Sequence, residues 1–124
     1  MAMLDDRWDD LTDSDWAQFA RCWFNGLAER DEGVLPDLPR ILDEDQSAVD
    51  FVVQMNFTAS PESQWKFITT AFGLAPDESL GAIAAGPLEH LMWKHGDTYI
   101  DQIESMSQTD PRFARMVDGC WQHK

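Results

Sequence analysis

The stretch SPESQWKFITTAFG, residues 60–73, decides the fold class of this chain. Ser60 is a typical N-cap residue, Pro61 suits the first helical position, and Glu62 places an acid in the first turn. Apolar residues then recur at helical spacing, at Trp65, Ile68 and Phe72. Gly73 follows as a stop signal. This combination predicts a helix with one apolar stripe.

The chain beyond this stretch shows four further helix starts. They lie at Asp77, at Gly86-Pro87 (a helix stop combined with a helix start), at Asp97 after Gly96, and at Asp110-Pro111. The apolar positions of these helices are Leu80, Ile83, Ala84, Leu88, Leu91, Met92, Ile100, Ile103, Met106, Phe113, Met116, Val117, Cys120 and Trp121. An all-α fold is therefore predicted, a compact array of short helices. HEAT-like stacking of α–α layers is one version of it.

Helical periodicity also extends toward the N-terminus. From Asp13 onward an apolar stripe is formed by Trp16, Phe19, Ala20, Trp23 and Leu27. Asp13 or Ser14 is expected to cap this helix. A second helix is predicted around Ala48 to Met55, although the run Val49 to Val53 also fits a short buried strand. With 124 residues, the chain is expected to form one domain spanning residues 1–124.

Negative charge is concentrated in the first half of the chain. Residues 1–62 contain fifteen Asp and Glu against four Arg, whereas residues 63–124 contain eight against five Lys and Arg. The whole chain carries a formal charge of −14. Such an asymmetry concerns solubility and partners rather than the fold. It predicts a basic partner, and it argues against nucleic acid or an anionic membrane as a direct ligand.

Several other classes of protein are not expected. No apolar run approaches the roughly 18 residues that span a bilayer. The N-terminus lacks the basic and apolar regions of a secretory signal, so a cytoplasmic location is expected. No P-loop, GxGxxG or GxSxG motif is present, and no cofactor is expected.

The candidates for chemistry each have a simpler structural interpretation. His90 and His95 are five residues apart, so they do not share one helix face as metal ligands do, and His123 stands apart from both. Cys22 and Cys120 lie far apart in the sequence and neither belongs to a CxxC motif, so two free buried thiols are expected, with a disulfide as the alternative. We therefore predict that the chain has no metal site and no catalytic residue.

Glu89 is the acid with the strongest local context. It lies in the first turn of the helix that Pro87 is expected to open, between Leu88 and Leu91. It is expected to accept hydrogen bonds from N–H groups at a helix end. A role as a general base would instead require a pocket that also holds a His or Tyr99.

One resemblance is carried by the second half of the chain. The motifs are AAGPLEHL at residues 84–91, His95-Gly96, Asp110-Pro111-Arg112-Phe113, and Gly119-Cys120-Trp121. They resemble a bacterial family of small helical domains of unknown function, whose pattern runs A-G-P-L-E, then D-P-x-F, then G-x-W. Met92 stands where that pattern favours Leu. The resemblance covers residues 62–121 and implies a helical domain without implying an activity. On this basis we divide the chain into an acidic part, residues 1–59, and a family-like helical core, residues 60–121.

The acidic part suggests a function. Its candidate partner-binding residues are Asp5, Asp6, Trp8, Asp9, Asp10, Asp13, Asp15, Asp43, Glu44 and Asp45. Trp is enriched among the residues that dominate interfaces, and acidic fields accelerate the association of basic partners. The leading hypothesis is a protein-binding inhibitor, an immunity protein that neutralises a basic toxin or effector enzyme. The alternatives are an acidic mimic of nucleic acid and a self-associating adaptor, for example a homodimer.

Overall fold

The computed structural model describes residues 6–27 and 48–119, with side chains described for residues 8–24 and 51–119. Within these ranges every regular element is helical and no strand occurs, so the predicted all-α class is confirmed. The chain divides into two compact units, Met1–Leu74 and Ala75–Lys124. This division does not test the prediction of one domain over residues 1–124, which stays a prediction, as does HEAT-like layering.

In the residues that the structure describes, the first unit contains one 3-10 turn and three helices. The turn spans Asp6–Asp10, and the helices are α1 (Asp13–Leu27), α2 (Ala48–Thr58) and α3 (Pro61–Leu74). Helix α1 packs against both α2 and α3. The helical interpretation of α2 is thus confirmed, and the strand alternative for residues 49–53 is wrong.

The starts of α1 and α3 are fixed by local hydrogen bonds. The N–H of Asp15 donates to Thr12 Oγ1 at 3.1 Å, and the N–H of Thr12 donates to Asp15 Oδ2 at 3.0 Å. This reciprocal pair is a capping box, so Thr12 caps α1 rather than the expected Asp13 or Ser14. At α3 the N–H of Ser63 donates to Ser60 Oγ at 3.2 Å, which confirms the predicted cap.

Helix α3 buries a face that differs from the predicted stripe. Phe67 is fully buried, with ring centroids 5.1 Å from Phe19 and 5.4 Å from Trp23, both on α1. Trp65 and Phe72 are only partly buried. The prediction was wrong for these two residues because the position of α1 selects the face that carries Phe67, and helical spacing alone admits both faces.

Aromatic side chains fill the centre of the first unit. Trp8, in the 3-10 turn, stacks on Phe19 at 5.8 Å and meets Phe51 of α2 edge-on at 6.5 Å. Its indole Nε1–H donates to Thr58 Oγ1 at 2.9 Å. The Thr58 hydroxyl donates in turn to the carbonyl of Gln54. The turn is therefore attached to α1 and α2 by both packing and a hydrogen bond.

Between Ala75 and residue 119 the second unit contains one long helical path followed by a further helix. A 3-10 turn, Asp77–Ser79, leads into α4 (Leu80–Ile83), a π-helical turn (Ala84–Leu88) and α5 (Glu89–Thr109). Helix α6 (Pro111–Asp118) follows and packs against α5 and α4. Its predicted apolar face is confirmed at Phe113, Met116 and Val117, which are all buried.

The predicted helix break at Gly86-Pro87 does not occur. Helical dihedrals continue through Ala84 and Glu89, and the N–H of Glu89 donates to the carbonyl of Ala84, five residues earlier. Pro87 has no N–H and its ring crowds the preceding turn. The wider π turn accommodates that ring without ending the helix. The helix therefore continues through Gly86-Pro87, because its backbone widens locally into a π turn.

The predicted interruption near Gly96 takes the form of a kink. His95 has φ −134° and ψ 24°, which are not helical values, and α5 resumes beyond it. A cleft of about 310 Å³ follows this kink and is lined by residues 92–98.

Loss of the α6 cap should have a measurable effect. Asp110 Oδ1 accepts the N–H groups of Arg112 at 3.0 Å and Phe113 at 3.2 Å. We expect Asp110→Ala to lower the free energy of unfolding by about 1 kcal/mol, because two N–H groups lose their acceptor. Urea denaturation measures the change. Asp110→Asn keeps an acceptor oxygen and should lose much less; equal losses in both variants would show that the cap does not matter.

Candidate protein-binding surfaces

The first candidate surface lies where the N-terminal 3-10 turn meets the starts of α1 and α3. Asp9 accepts a hydrogen bond from the Ser63 hydroxyl at 2.7 Å and one from the Ser60 hydroxyl at 3.2 Å. These bonds attach the turn to the beginning of α3. An acid is favourable there because unpaired N–H groups and the helix dipole favour negative charge.

Two further acids of α1 also have partners within the chain. Asp13 forms an ion pair with Lys66 of α3, with 2.6 Å between Oδ1 and Nζ. The Asp13 side chain remains 89% exposed, so this pair contributes little to stability. Asp15 belongs to the capping box with Thr12. Part of the acidity that the sequence shows therefore serves local structure.

Asp10 differs from these residues. Its side chain is exposed and forms no hydrogen bond or ion pair with any other residue that the structure describes. Glu62, in the first turn of α3, is also exposed and lies one turn before Lys66. We call the set Asp9, Asp10, Asp13, Asp15 and Glu62 the acidic surface. Its members belong to the 3-10 turn, α1 and α3, and Asp13 among them is paired with Lys66.

Trp8 does not belong to this surface. We expected an exposed aromatic anchor among carboxylates, but the Trp8 side chain is 0% exposed. The prediction was wrong because the 3-10 turn directs the indole into the aromatic centre of the unit, where Thr58 binds its N–H. The acidic surface is thus polar, and its one aromatic candidate stabilises the fold beneath it.

Several predicted residues lie outside the part of the chain that the structure describes. They are Asp5, Asp43, Glu44, Asp45, Cys120, His123 and the side chain of Asp6. Whether the acids among them extend the acidic surface stays a prediction.

The residue types considered for chemistry have the following environments in the described part of the chain. No group of three His, Cys, Asp or Glu in residues 6–27 and 48–119 is arranged to hold a metal ion. Cys22 is buried as a thiol, as predicted. Tyr99 is also buried, with 5% of its side chain exposed.

Glu89 has a different environment from the one predicted. The helix does not begin there, so no open helix end supplies N–H groups to its carboxylate. Its Oε2 atom is buried and accepts no hydrogen bond from any described residue. It is one of several buried side-chain polar atoms without a hydrogen-bond partner among the described residues, so it does not by itself indicate a ligand.

The second candidate surface, on α5, was missed by sequence reasoning. Trp93 is 65% exposed, more than any other described large apolar residue. The His90 ring meets it edge-on at 5.8 Å, and Lys94 Nζ lies 5.8 Å from the indole centroid. A signal was available, because Trp93 lies off the apolar stripe formed by Leu88, Leu91 and Met92. A Trp off the buried stripe of a helix is a candidate surface anchor.

Asp77 and Arg112 form an ion pair in the second unit. Arg112 Nε donates to Asp77 Oδ1 at 2.8 Å, and Arg112 Nη2 donates to the carbonyl of Ala75. The hydrogen bond from Arg112, together with its charge, holds the pKa of Asp77 below its usual range. This contribution to stability is present above the unfolded-state pKa of Asp77 and is lost as the pH falls through its folded-state pKa.

Removal of the guanidinium should reverse this shift. We expect Arg112→Gln to raise the pKa of Asp77 toward its ordinary value, measured by an NMR pH titration of the Asp77 carboxyl. Arg115 lowers the same pKa only weakly, so Arg115→Gln is the matched control and should change it less. Equal shifts in the two variants would show that general charge rather than the Arg112 hydrogen bond lowers the pKa.

Comparison with known proteins yields one relationship. The model of a family of unknown function, DUF6869, matches residues 40–124, more than half of the chain. The chain belongs to this family. No curated protein and no solved structure matches it. The expected relationship to a family of unknown function is therefore confirmed, over a longer segment than residues 62–121.

The DUF6869 match separates the two candidate surfaces. It includes α2 to α6 and therefore Glu89 and Trp93. It leaves out the 3-10 turn at Asp6–Asp10 and α1, which carry most of the acidic surface. Within the described parts of this DUF6869 member, no helix combines the length and apolar character needed to cross a membrane.

Proposed function

We propose that this DUF6869 member is a protein-binding inhibitor, an immunity protein that neutralises a basic toxin or effector enzyme by covering its active surface. The observation that carries the proposal is the acidic surface, where Asp10, Asp13 and Glu62 are exposed at the meeting point of three elements. In this proposal the chain acts by occlusion and performs no chemistry itself.

The charge of the chain supports a basic partner. A formal charge of −14 on 124 residues produces a negative field around the whole chain. Such a field raises the rate at which a positively charged protein associates, and it does so most strongly at low salt. A basic nuclease or another enzyme that acts on nucleic acid has the complementary charge.

The hydrogen bonds of the acidic surface support the same interpretation. Asp9 is held by Ser60 and Ser63, and Asp15 is held by Thr12. Carboxylates that are already ordered lose less conformational entropy when a partner binds. The acidic surface is therefore better prepared for binding than a set of independent exposed acids.

One observation favours self-association as a second candidate. Val53 and Phe57 of α2 are 54% and 52% exposed and lie one turn apart on the same face. Exposed apolar residues on one helix face suit a contact between copies of the chain. Salt distinguishes the candidates, because an apolar dimer should respond weakly and a complex with a basic protein should respond strongly.

Affinity capture tests the proposal. The full chain is immobilised and exposed to a lysate of the source organism, and separately to a lysate that contains the product of the neighbouring reading frame. We expect a stoichiometric basic protein that is retained at low salt and elutes at high salt. A chain with Asp10→Asn and Asp13→Asn is the control and should retain less of it. Recovery of only the chain itself would favour self-association and contradict the inhibitor proposal.

A further inference from the structure

The exposed indole of Trp93 requires a functional explanation. Its ring is 65% exposed on α5, and its neighbours are polar: the His90 ring edge and the Lys94 ammonium. Trp residues in such positions are enriched among those that contribute most to protein–protein binding. The question is which chemical group of a partner would contact it.

Glu89 lies beside Trp93 on the same helix face. The two residues are four apart, and the helix between them is regular because the kink begins only at His95. Glu89 is partly buried, and its Oε2 accepts no hydrogen bond within the described residues. A buried carboxylate oxygen without a donor is costly, so a rotation of the Glu89 side chain that exposes Oε2 to a donor from a partner would be favourable.

The ring itself attracts cations. Lys94 Nζ already lies 5.8 Å from the indole centroid, a geometry typical of a cation–π contact. From residue 89 to residue 98 the acids are Glu89 and Asp97 and the only Lys is Lys94, so the segment is slightly acidic, as the chain is overall. Both the local and the total charge favour a cationic group over an anionic one.

We propose that Glu89 and Trp93 form a binding site for an arginine side chain presented by the protein partner. The guanidinium plane stacks on the indole, and its N–H groups donate to the Glu89 carboxylate, whose side chain rotates outward because Oε2 is otherwise buried. Arginine suits the site better than lysine because its planar fork both stacks on aromatic rings and binds carboxylates through two hydrogen bonds. This inference rests on the proposed function and specifies one chemical group that the basic partner supplies.

An NMR titration of the full chain tests the site without the partner. The probe is an end-blocked Gly-Arg-Gly peptide, and the signal is the Trp93 indole N–H, assigned by its loss in Trp93→Phe. We expect a saturable shift with a Kd on the order of 1 mM, as for one isolated side chain. The same peptide with citrulline, which is uncharged, should cause no shift.

Two variants show whether Glu89 contributes specifically. Glu89→Gln should weaken peptide binding about tenfold, equivalent to about 1.4 kcal/mol. Glu104→Gln removes the same charge from an exposed position further along α5 and should leave binding unchanged. The proposal is overturned if Glu89→Gln binds the peptide as tightly as the unchanged chain does. It is also overturned if Glu89→Gln and Glu104→Gln lose the same affinity, or if the citrulline peptide causes the same shift as the arginine peptide. Because Trp93 is exposed, Trp93→Ala should remain folded and should also lose the binding.

The failure of this inference is distinguishable from the failure of the proposed function. A partner that is captured equally well by the unchanged chain and by Trp93→Ala would contradict the arginine site and leave the inhibitor proposal standing. An arginine-dependent shift at Trp93 without any captured basic protein would support the site and contradict the inhibitor proposal.

Discussion

Trp8→Ala is expected to lower the free energy of unfolding by about 3–5 kcal/mol, the range for a large aromatic side chain removed from a core. Trp8 is fully buried, and its ring contacts Phe19 and Phe51. Its Nε1–H also binds Thr58, so the substitution removes a hydrogen bond as well as packing. Urea denaturation followed by circular dichroism measures the loss.

Trp93→Ala is the matched control for this prediction. The same side chain is removed, but from a position that is 65% exposed, so the change should stay within about 0.5 kcal/mol. A loss below about 1 kcal/mol for Trp8→Ala would place Trp8 at the surface. It would then restore Trp8 as a candidate anchor for a partner.

Reversal of charge on the acidic surface is expected to have the largest effect on binding. The variant Asp10→Lys with Asp13→Lys should weaken binding of the basic partner by about 10- to 100-fold and reduce its dependence on salt. Both side chains are exposed, so helicity should not change. Calorimetry at two salt concentrations measures the affinity, and circular dichroism measures the helicity.

The control for this variant carries the same charge change elsewhere. Asp101→Lys with Glu104→Lys alters two exposed acids of α5 in the second unit. If the acidic surface is the binding site, this control should lose much less affinity. Equal losses in the two variants would mean that only the total charge matters, which would contradict a defined acidic surface.

Asp9 is left out of the charge reversal for a structural reason. It accepts hydrogen bonds from Ser60 and Ser63, so a Lys at this position would break the attachment of the 3-10 turn to α3. A loss of binding in such a variant would not distinguish a binding role from a folding role. From sequence alone Asp9 and Asp10 are equivalent, and only their contacts separate them.

The elements that the sequence predicted well are those that depend on local signals. Asp110-Pro111 starts α6 and Ser60-Pro61 starts α3, because a cap and a proline act within one turn. Local chemistry therefore accounts for the all-α class and for most of the helix starts.

The features that sequence reasoning missed depend on tertiary packing or on helix geometry. Gly86-Pro87 has the composition of a break, yet a π turn accommodates the proline because helix width can change locally. The buried face of α3 is selected by Phe67 against α1, and spacing alone does not distinguish that face from the one carrying Trp65.

For the candidate surfaces, too, the sequence predicts what depends on composition and not what depends on packing. Negative charge can be counted in a sequence, so the hypothesis of a basic partner follows from the sequence alone and stays a prediction. The burial of Trp8 was not predictable, because this residue stands among acids in the sequence, whereas the exposure of Trp93 had a signal in its position off the apolar stripe of α5. The fold buries the first and exposes the second. Side-chain direction relative to the packed neighbours decides which Trp can contact a partner.

The most direct test of the inhibitor account is the activity of the captured basic protein on its own substrate, measured with increasing amounts of the chain. The account predicts that activity falls to the background level at one equivalent, and that Asp10→Lys with Asp13→Lys restores activity at the same concentration. Full activity of the basic protein while it is bound to the chain would contradict the account.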